Sequence, residues 1–378
     1  MTSITRRARL VAGIALAATA ALALTSCAAD SSAGDSGSSV DAATATSLAD
    51  FGTLEDLEAA AKAEGALNVI ALPRDWANYG EILDLFAERY PEITINEASP
   101  DVSSAEEIQA AETNKGLDTA PDVFDLGLAV ALQSTDTFAP YKVEKFDEIP
   151  DALKEPTGLF VGDYGGYMSI GYDSSKFPEP TSLDDLKGAD FRGAVAINGD
   201  PTQAGSAFGA VGLATMQSGG DLDDYTPGIE FFGELQKAGN FLKVDVTPAT
   251  ITSGETPVVF DWDYLNTAAG KDNPNWKVVV LDGVGYASYY NQAINKDAPH
   301  PAAARLWQEF LYSDDVQNLW LKGGARPARM EAMTAAGTID EELAAALPEV
   351  PAETVVPAEK QSTDAGTLLG EKWAVAVQ

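Results

Sequence analysis

Residues 67–72 read Leu-Asn-Val-Ile-Ala-Leu, and Pro73 closes the run. A short, mostly apolar stretch bounded by proline predicts a buried strand. The loop Pro73-Arg74-Asp75-Trp76-Ala77-Asn78 follows, and beyond it Ile82, Leu85, Phe86 and Tyr90 fall on one helical face. Upstream, Thr53 and Asp56 have capping-box spacing and predict a helix running to about Ala63 and stopping at Gly65. Downstream, Ile93–Asn96 reads as a second strand. Ser104 with Glu107 predicts another capping box and a helix to Lys115, and Asp122–Leu126 (DVFDL) reads as a third strand.

The alternation continues. Strands are predicted over 166–172, 194–197, 257–260 and 276–281, and helices over 206–217 and 225–238. Pro301 opens an amphipathic helix carrying Ala304, Trp307, Phe310 and Leu311. Strand–helix alternation predicts an α/β fold with largely parallel sheets. Residues 348–357, rich in Pro and Ala, read as irregular surface.

Composition narrows the function classes. The chain has 378 residues, 45% hydrophobic and 22% charged, enough for one large or two smaller globular cores. Lys+Arg number 24 against 58 Asp+Glu, a net charge of -34, which argues against a nucleic-acid binder and against docking on anionic lipid through a basic surface. One cysteine and one histidine leave no disulfide framework, cysteine-zinc cluster or histidine-rich metal site. His300, in Ala298-Pro299-His300-Pro301, reads as a surface turn rather than a general base. G-x-S-x-G, P-loop, G-x-G-x-x-G and H-E-x-x-H motifs are absent, so neither an enzyme nor a cofactor is expected. A carboxylate-pair glycosidase is the remote alternative that an acid-rich composition leaves open.

The N-terminus reads as an export address. Arg6, Arg7 and Arg9 precede an uncharged apolar run, Leu10–Leu24, that is too short to span a membrane. Leu24-Thr25-Ser26-Cys27 resembles the bacterial lipoprotein box, which implies cleavage after residue 26 and acylation of Cys27. Arg6-Arg7 leaves both general and twin-arginine export open. Residues 27–50, rich in Ser, Ala, Asp, Gly and Thr, read as a flexible tether with a reach of roughly 25 Å.

In open α/β sheets, ligands sit beyond the carboxyl ends of strands. The polar and aromatic loops there are Arg74-Asp75-Trp76, Ser103-Ser104, Asp200 to Ser206, and Asp261-Trp262-Asp263-Tyr264, with Tyr286, Tyr289 and Tyr290 as a fifth group. Asp261 and Asp263 with Trp76, Trp262 and Tyr289 offer carboxylates and ring faces to a polyamine-like organic cation. Thr202 and Ser206 at a helix start, with Arg74, offer donors to an anion instead. A zwitterion such as an amino-phosphonate would use both sets.

Taken in order, several stretches resemble the extracellular solute-binding proteins of bacterial ABC importers, in the group that includes polyamine- and ferric-ion-binding types. They are 67–72 with the helix ending Phe86-Ala87-Glu88-Arg89-Tyr90-Pro91, Ala120-Pro121-Asp122-Val123, Gly165 to Asp173, Phe191-Arg192-Gly193 followed by Asp200-Pro201-Thr202, and Ala302 to Ser313 with Gln317. The resemblance implies a two-lobed, type II periplasmic-binding-protein-like α/β fold with two hinge crossings, near 169–173 and 283–291. Lobe 1 is then discontinuous (51–168 and 286–378, the latter with the C-terminal helices) and lobe 2 spans 169–285. It also implies a small hydrophilic solute, a permease and its ATPase as partners, no covalent chemistry, and a monomer held by its lipid on the outer face of the cell membrane. Tyr289-Tyr290 is similar to the family's paired tyrosines for ferric iron, but the family's pair lies earlier, where this chain has Asp261-Trp262-Asp263-Tyr264.

Overall fold

The computed structural model describes residues 40–271 and 273–378. The predicted export segment 1–26, Cys27 and the first part of the tether lie outside the described residues. From residue 41 the chain is packed, which corrects a tether running to Asp50. Asp41 caps the turn Ala42–Thr44, and Leu48–Phe51 forms a helical turn that buries Phe51. The buried Arg305 guanidinium donates to the carbonyls of Ala45 at 2.8 Å and Ala43 at 3.0 Å. Two backbone acceptors on a buried cation hold this segment where composition alone suggested coil.

The strands are β1 (Ala66–Ile70), β2 (Thr94–Ala98), β3 (Val123–Gly127), β4 (Phe138–Ala139), β5 (Phe160–Asp173), β6 (Val195–Ile197), β7 (Val258–Trp262), β8 (Trp276–Val279), β9 (Val284–Asn295), β10 (Arg326–Pro327) and β11 (Glu353–Val355). β1 and β2 form a parallel pair. The larger sheet is organised by β5 and β9, two long antiparallel neighbours. β5 pairs with β9 as far as Tyr167; from Met168 to Asp173 it pairs with β7 and β8. β3 and β4 extend the sheet from β9, and β6 adds parallel to β7. A mixed α/β sheet thus replaces the largely parallel one expected. The cause is topological: β7, β8, β9 and β10 all attach antiparallel to β5, the strand common to both halves.

Helices cover the sheet as the apolar periodicity predicts. Thr53 and Asp56 cap Leu54–Glu64, and Gly65 ends it in the left-handed conformation at φ 75°. The Ser104–Thr113 helix is capped one residue earlier than expected, by Ser103 with Glu106. That shift turns Ser104 and Glu107 inward, where both are buried. The Gly205–Gln217 helix is apolar all round and packs on Trp262 and Tyr286; a Cβ on Gly212 would stand 2.3 Å from the Tyr286 ring. His300 is no free turn residue: it precedes the Pro301–Leu311 helix, and its Nδ1 lies 2.9 Å from the buried Asp122 Oδ2. Among the described residues, no helix is long and apolar enough to cross a membrane.

Candidate functional site

Three strand ends converge on β9. β3 ends at Gly127, β6 leads through Asp200 into the Gly205–Gln217 helix, and β7 ends at Trp262, directly before the Asp263–Ala269 helix. The first two ends abut: a Cβ on Gly127 would lie 2.9 Å from Gly205 Cα. Between them is a cavity of about 20 Å³, bordered by Gly127, Gly205, Trp262, Tyr289, Tyr290 and Ser362. That is room for about one water, so any larger solute must part these elements.

Tyr290 also belongs to an aromatic cluster. Its ring stacks on Tyr164 (centroids 5.6 Å, interplanar angle 10°) and meets Trp76 edge-on at 5.7 Å. Tyr264 stands edge-on to Trp76 at 6.3 Å and to Tyr164 at 5.9 Å. Each ring offers a negative face or an edge to its neighbour, and the same faces attract a cation.

A carboxylate supports this cluster from below. The Trp76 indole N–H donates to the Tyr164 hydroxyl at 2.8 Å, and Tyr164 donates on to Asp125 Oδ2 at 2.9 Å. Tyr79 donates to the same oxygen at 2.9 Å. Asp125 Oδ1, Glu107 Oε1 and the Tyr264 hydroxyl are buried without a hydrogen-bond partner among the described residues. Burial pushes Asp125 up to about 7 although the two phenols pull it back. Burial, then the Asp125 charge, raises Glu107 and Asp163 well above the usual carboxylate range. Three acids in dry surroundings favour their neutral forms unless a positive group joins them.

The residues expected at the site divide into three groups. Asp261, Trp262, Asp263, Ser206 and Ser104 are buried at the convergence. Asp261 accepts from Ser206, from Asn198 at 3.0 Å and from the Trp262 N–H at 2.8 Å. Burial still raises it to about 6. Asp263 is committed elsewhere, accepting from Arg326 at 2.8 Å and from the Tyr167 and Tyr264 N–H groups at 3.0 Å. Ser104 accepts from the Gly127 N–H at 3.0 Å and so fixes the end of β3.

Trp76, Tyr289 and Thr202 form the second group, at the edge. Trp76 is half-buried in the aromatic cluster. Tyr289 is half-buried beside the cavity, with burial holding its phenol protonated up to about 12. Thr202 borders the cavity but spends its hydroxyl on Asp200 at 2.6 Å. Arg74 and Asp75 are exposed, and Arg74 is turned away, paired with Asp84 and with Glu97 at 2.9 Å. Those surface pairs occupy its guanidinium in this arrangement.

Sequence reading did not single out Asp125, Glu107, Tyr164 or Tyr264 as a set. One signal was present: Asp125 is a charged residue inside a run that is otherwise fully buried, Val123–Gly127. An unpaired acid in such a run is costly and asks for a partner.

Comparison with known proteins fits this architecture. The model of the bacterial extracellular solute-binding protein family SBP_bac_6 matches residues 119–348. No curated protein sequence is significantly similar to the chain. Among solved structures, an ABC transporter substrate-binding protein from Bradyrhizobium japonicum USDA 110 is similar at 19% identity, covering 83% of this chain and 100% of its own, with a TM-score of 0.64. A periplasmic binding protein from Agrobacterium tumefaciens R10, in complex with agropinic acid, is 16% identical over 83% and 98%, at 0.65. The ferric binding protein from Campylobacter jejuni is 14% identical over 82% and 99%, at 0.61. With its family model matched over more than half its length, and with strand ends that gather around a small cavity lined by aromatic and backbone groups, the chain belongs to the bacterial extracellular solute-binding protein family, whose members bind solutes and are not enzymes.

Proposed function

We propose that this protein is the receptor of an ABC import system and captures a small organic cation, polyamine-like in chemistry, between its two lobes. The observation that carries the reading is Asp125: a buried carboxylate with one oxygen unpartnered, beneath the rings of Trp76, Tyr164, Tyr264 and Tyr290. An ammonium group brought there meets Asp125 in a charge-assisted hydrogen bond and the rings in cation–π contact of about 0.5–2 kcal/mol each. It also relieves the clustering of Asp125, Glu107 and Asp163. Arg326, on β10, is already paired with Asp263.

The solute is carried unchanged. Closure of the lobes around it presents a changed outer face to the permease and its ATPase. Acylation at Cys27 anchors the receptor as a monomer on the outer face of the membrane, a reading that rests on the lipoprotein-box resemblance.

One observation favours a zwitterion as the second reading. The Gly205–Gln217 helix begins at the cavity and has no side-chain cap, so its first N–H groups are donors for a carboxylate or phosphonate once the surrounding elements part. Titration calorimetry of the purified protein with spermidine, putrescine, agmatine, glycine betaine, 2-aminoethylphosphonate and ferric citrate tests the proposal. Saturable, stoichiometric heat from an amine supports it; heat from ferric citrate alone, or turnover of a glycoside, sinks it.

A further inference from the structure

The C-terminal helix Glu359–Ala376 lies beyond the stretch matched by the family model, which ends at residue 348. It nevertheless reaches the cleft. Pro357, Ser362 and Gly366 border the same cavity as Gly127, Thr202 and Tyr290. Ser362 is 0% exposed, and its hydroxyl has no hydrogen-bond partner among the described residues. A buried orphan hydroxyl is destabilising by itself, and at the cavity wall Ser362 is placed to bond a water or a solute group that enters there.

The helix also touches both sides of the cleft, in different ways. Its far end is fixed to the Thr226–Ala238 side: Trp373 meets Phe232 edge-on at 5.6 Å and Phe241 at 6.1 Å. Its near end rests on the Leu128–Gln133 helix through Gly366, where an added Cβ would stand 2.8 Å from Gln133 Nε2. Aromatic burial holds one side; a glycine notch meets the other.

We propose that the Glu359–Ala376 helix is a third wall of the solute cleft, and that the Ser362 hydroxyl hydrogen-bonds the bound solute. This deepens the proposed function and rests on it only for the location of the solute. It assigns the solute a second, hydrogen-bonding group besides its charged one. It also makes the Gly366 notch part of the closed form: opening separates the helix from Leu128–Gln133 while Trp373 keeps it on the other side.

The test compares the wild-type protein with Ser362→Ala, Gly366→Leu and Asp125→Asn. Calorimetry uses spermidine, agmatine, glycine betaine and fructose 6-phosphate as probes, and small-angle scattering is recorded without any probe. Ser362→Ala is expected to weaken the tightest-binding probe about 3- to 10-fold. Its melting temperature stays the same or rises, because an unsatisfied hydroxyl has been removed; a purely structural serine would lower stability and leave affinity alone. Gly366→Leu is expected to enlarge the solute-free particle and weaken the same probe. Wild-type affinity in Ser362→Ala overturns the contact, and wild-type scattering and affinity in Gly366→Leu overturn the wall. If Asp125→Asn binds normally while Ser362→Ala is weakened, the cation reading falls and this one stands. If no probe binds the wild type, the scattering of Gly366→Leu decides: a particle of wild-type size overturns the wall and the contact with it.

Discussion

Arg326 and Asp263 form a buried ion pair, Nη1 to Oδ2 at 2.8 Å, that ties the two halves of the sheet together beside the cleft. Arg326 comes from β10, which pairs with the β9-side half of β5. Asp263 follows β7, which pairs with the other half. Asp263 is thereby tied into the frame as a strut; burial raises its carboxyl above the usual aspartate value, and the Arg326 charge pulls it part of the way back.

Breaking this pair leaves a buried charge uncompensated. Asp263→Asn or Arg326→Gln is expected to destabilise the protein by about 3–5 kcal/mol, read from the shift of its denaturant midpoint. A loss below about 1 kcal/mol in both variants contradicts the strut.

Asp125→Asn probes the cation site. The change removes the carboxylate charge but keeps an acceptor for Tyr79 and Tyr164. Amine affinity is expected to fall about 10- to 100-fold in calorimetry, as for loss of a charge-assisted bond. The solute-free melting temperature is expected to hold or rise, because the raised Asp125 is a cost to the empty fold at neutral pH.

Trp76→Ala removes one ring of the cluster and the indole donor to Tyr164. Amine affinity is expected to fall about 3- to 30-fold in calorimetry. Trp76→Phe, which keeps a ring face, is expected to recover part of that loss. Equal losses in the two variants would assign Trp76 a purely hydrogen-bonding role.

The acids also set a pH dependence. Folded Asp261 and Asp125 keep their protons up to about 6 and 7, against an ordinary aspartate value of 3.8. Between roughly pH 4 and 7 the folded state therefore binds more protons than the unfolded one, and stability falls as pH rises. His300, raised by Asp122, acts in the same direction: its contribution is complete below the ordinary histidine value and is lost as pH rises through the folded one. Lowered carboxylates such as Asp173 and Asp185 act oppositely, and their contribution is lost as pH falls through the folded values. The solute-free melting temperature is accordingly expected to be higher at about pH 5 than at about pH 8. Amine affinity runs the other way, because the cation must displace those protons. A flat melting profile from pH 5 to 8 contradicts the protonated cleft.

The sequence shows the frame more readily than the site. Apolar runs such as 67–72 and capping pairs such as Thr53–Asp56 report local geometry, and the structure places a strand and a helix there. Sheet direction was less legible, because nothing local in 160–173 says that one strand serves two half-sheets. The candidate site was legible where residues close an apolar strand, as Asp261 and Trp262 do at the end of β7. It was hidden where the partners are distant: Tyr79, Asp125 and Tyr164 meet through long-range packing. The one-residue shift of the cap from Ser104 to Ser103 shows how little separates a solvent-facing acid from the buried Glu107. The pairing of Arg74 was hidden as well, since its partners Asp84 and Glu97 lie on neighbouring elements.

A crystal structure grown with saturating spermidine tests the central claim most directly. An amine nitrogen within about 3 Å of Asp125 Oδ1, flanked by the rings of Trp76 and Tyr290, is the expected result. Crystals that hold the cleft empty at saturation, or that place the amine on the acidic outer surface with Asp125 still unpartnered, would contradict the account.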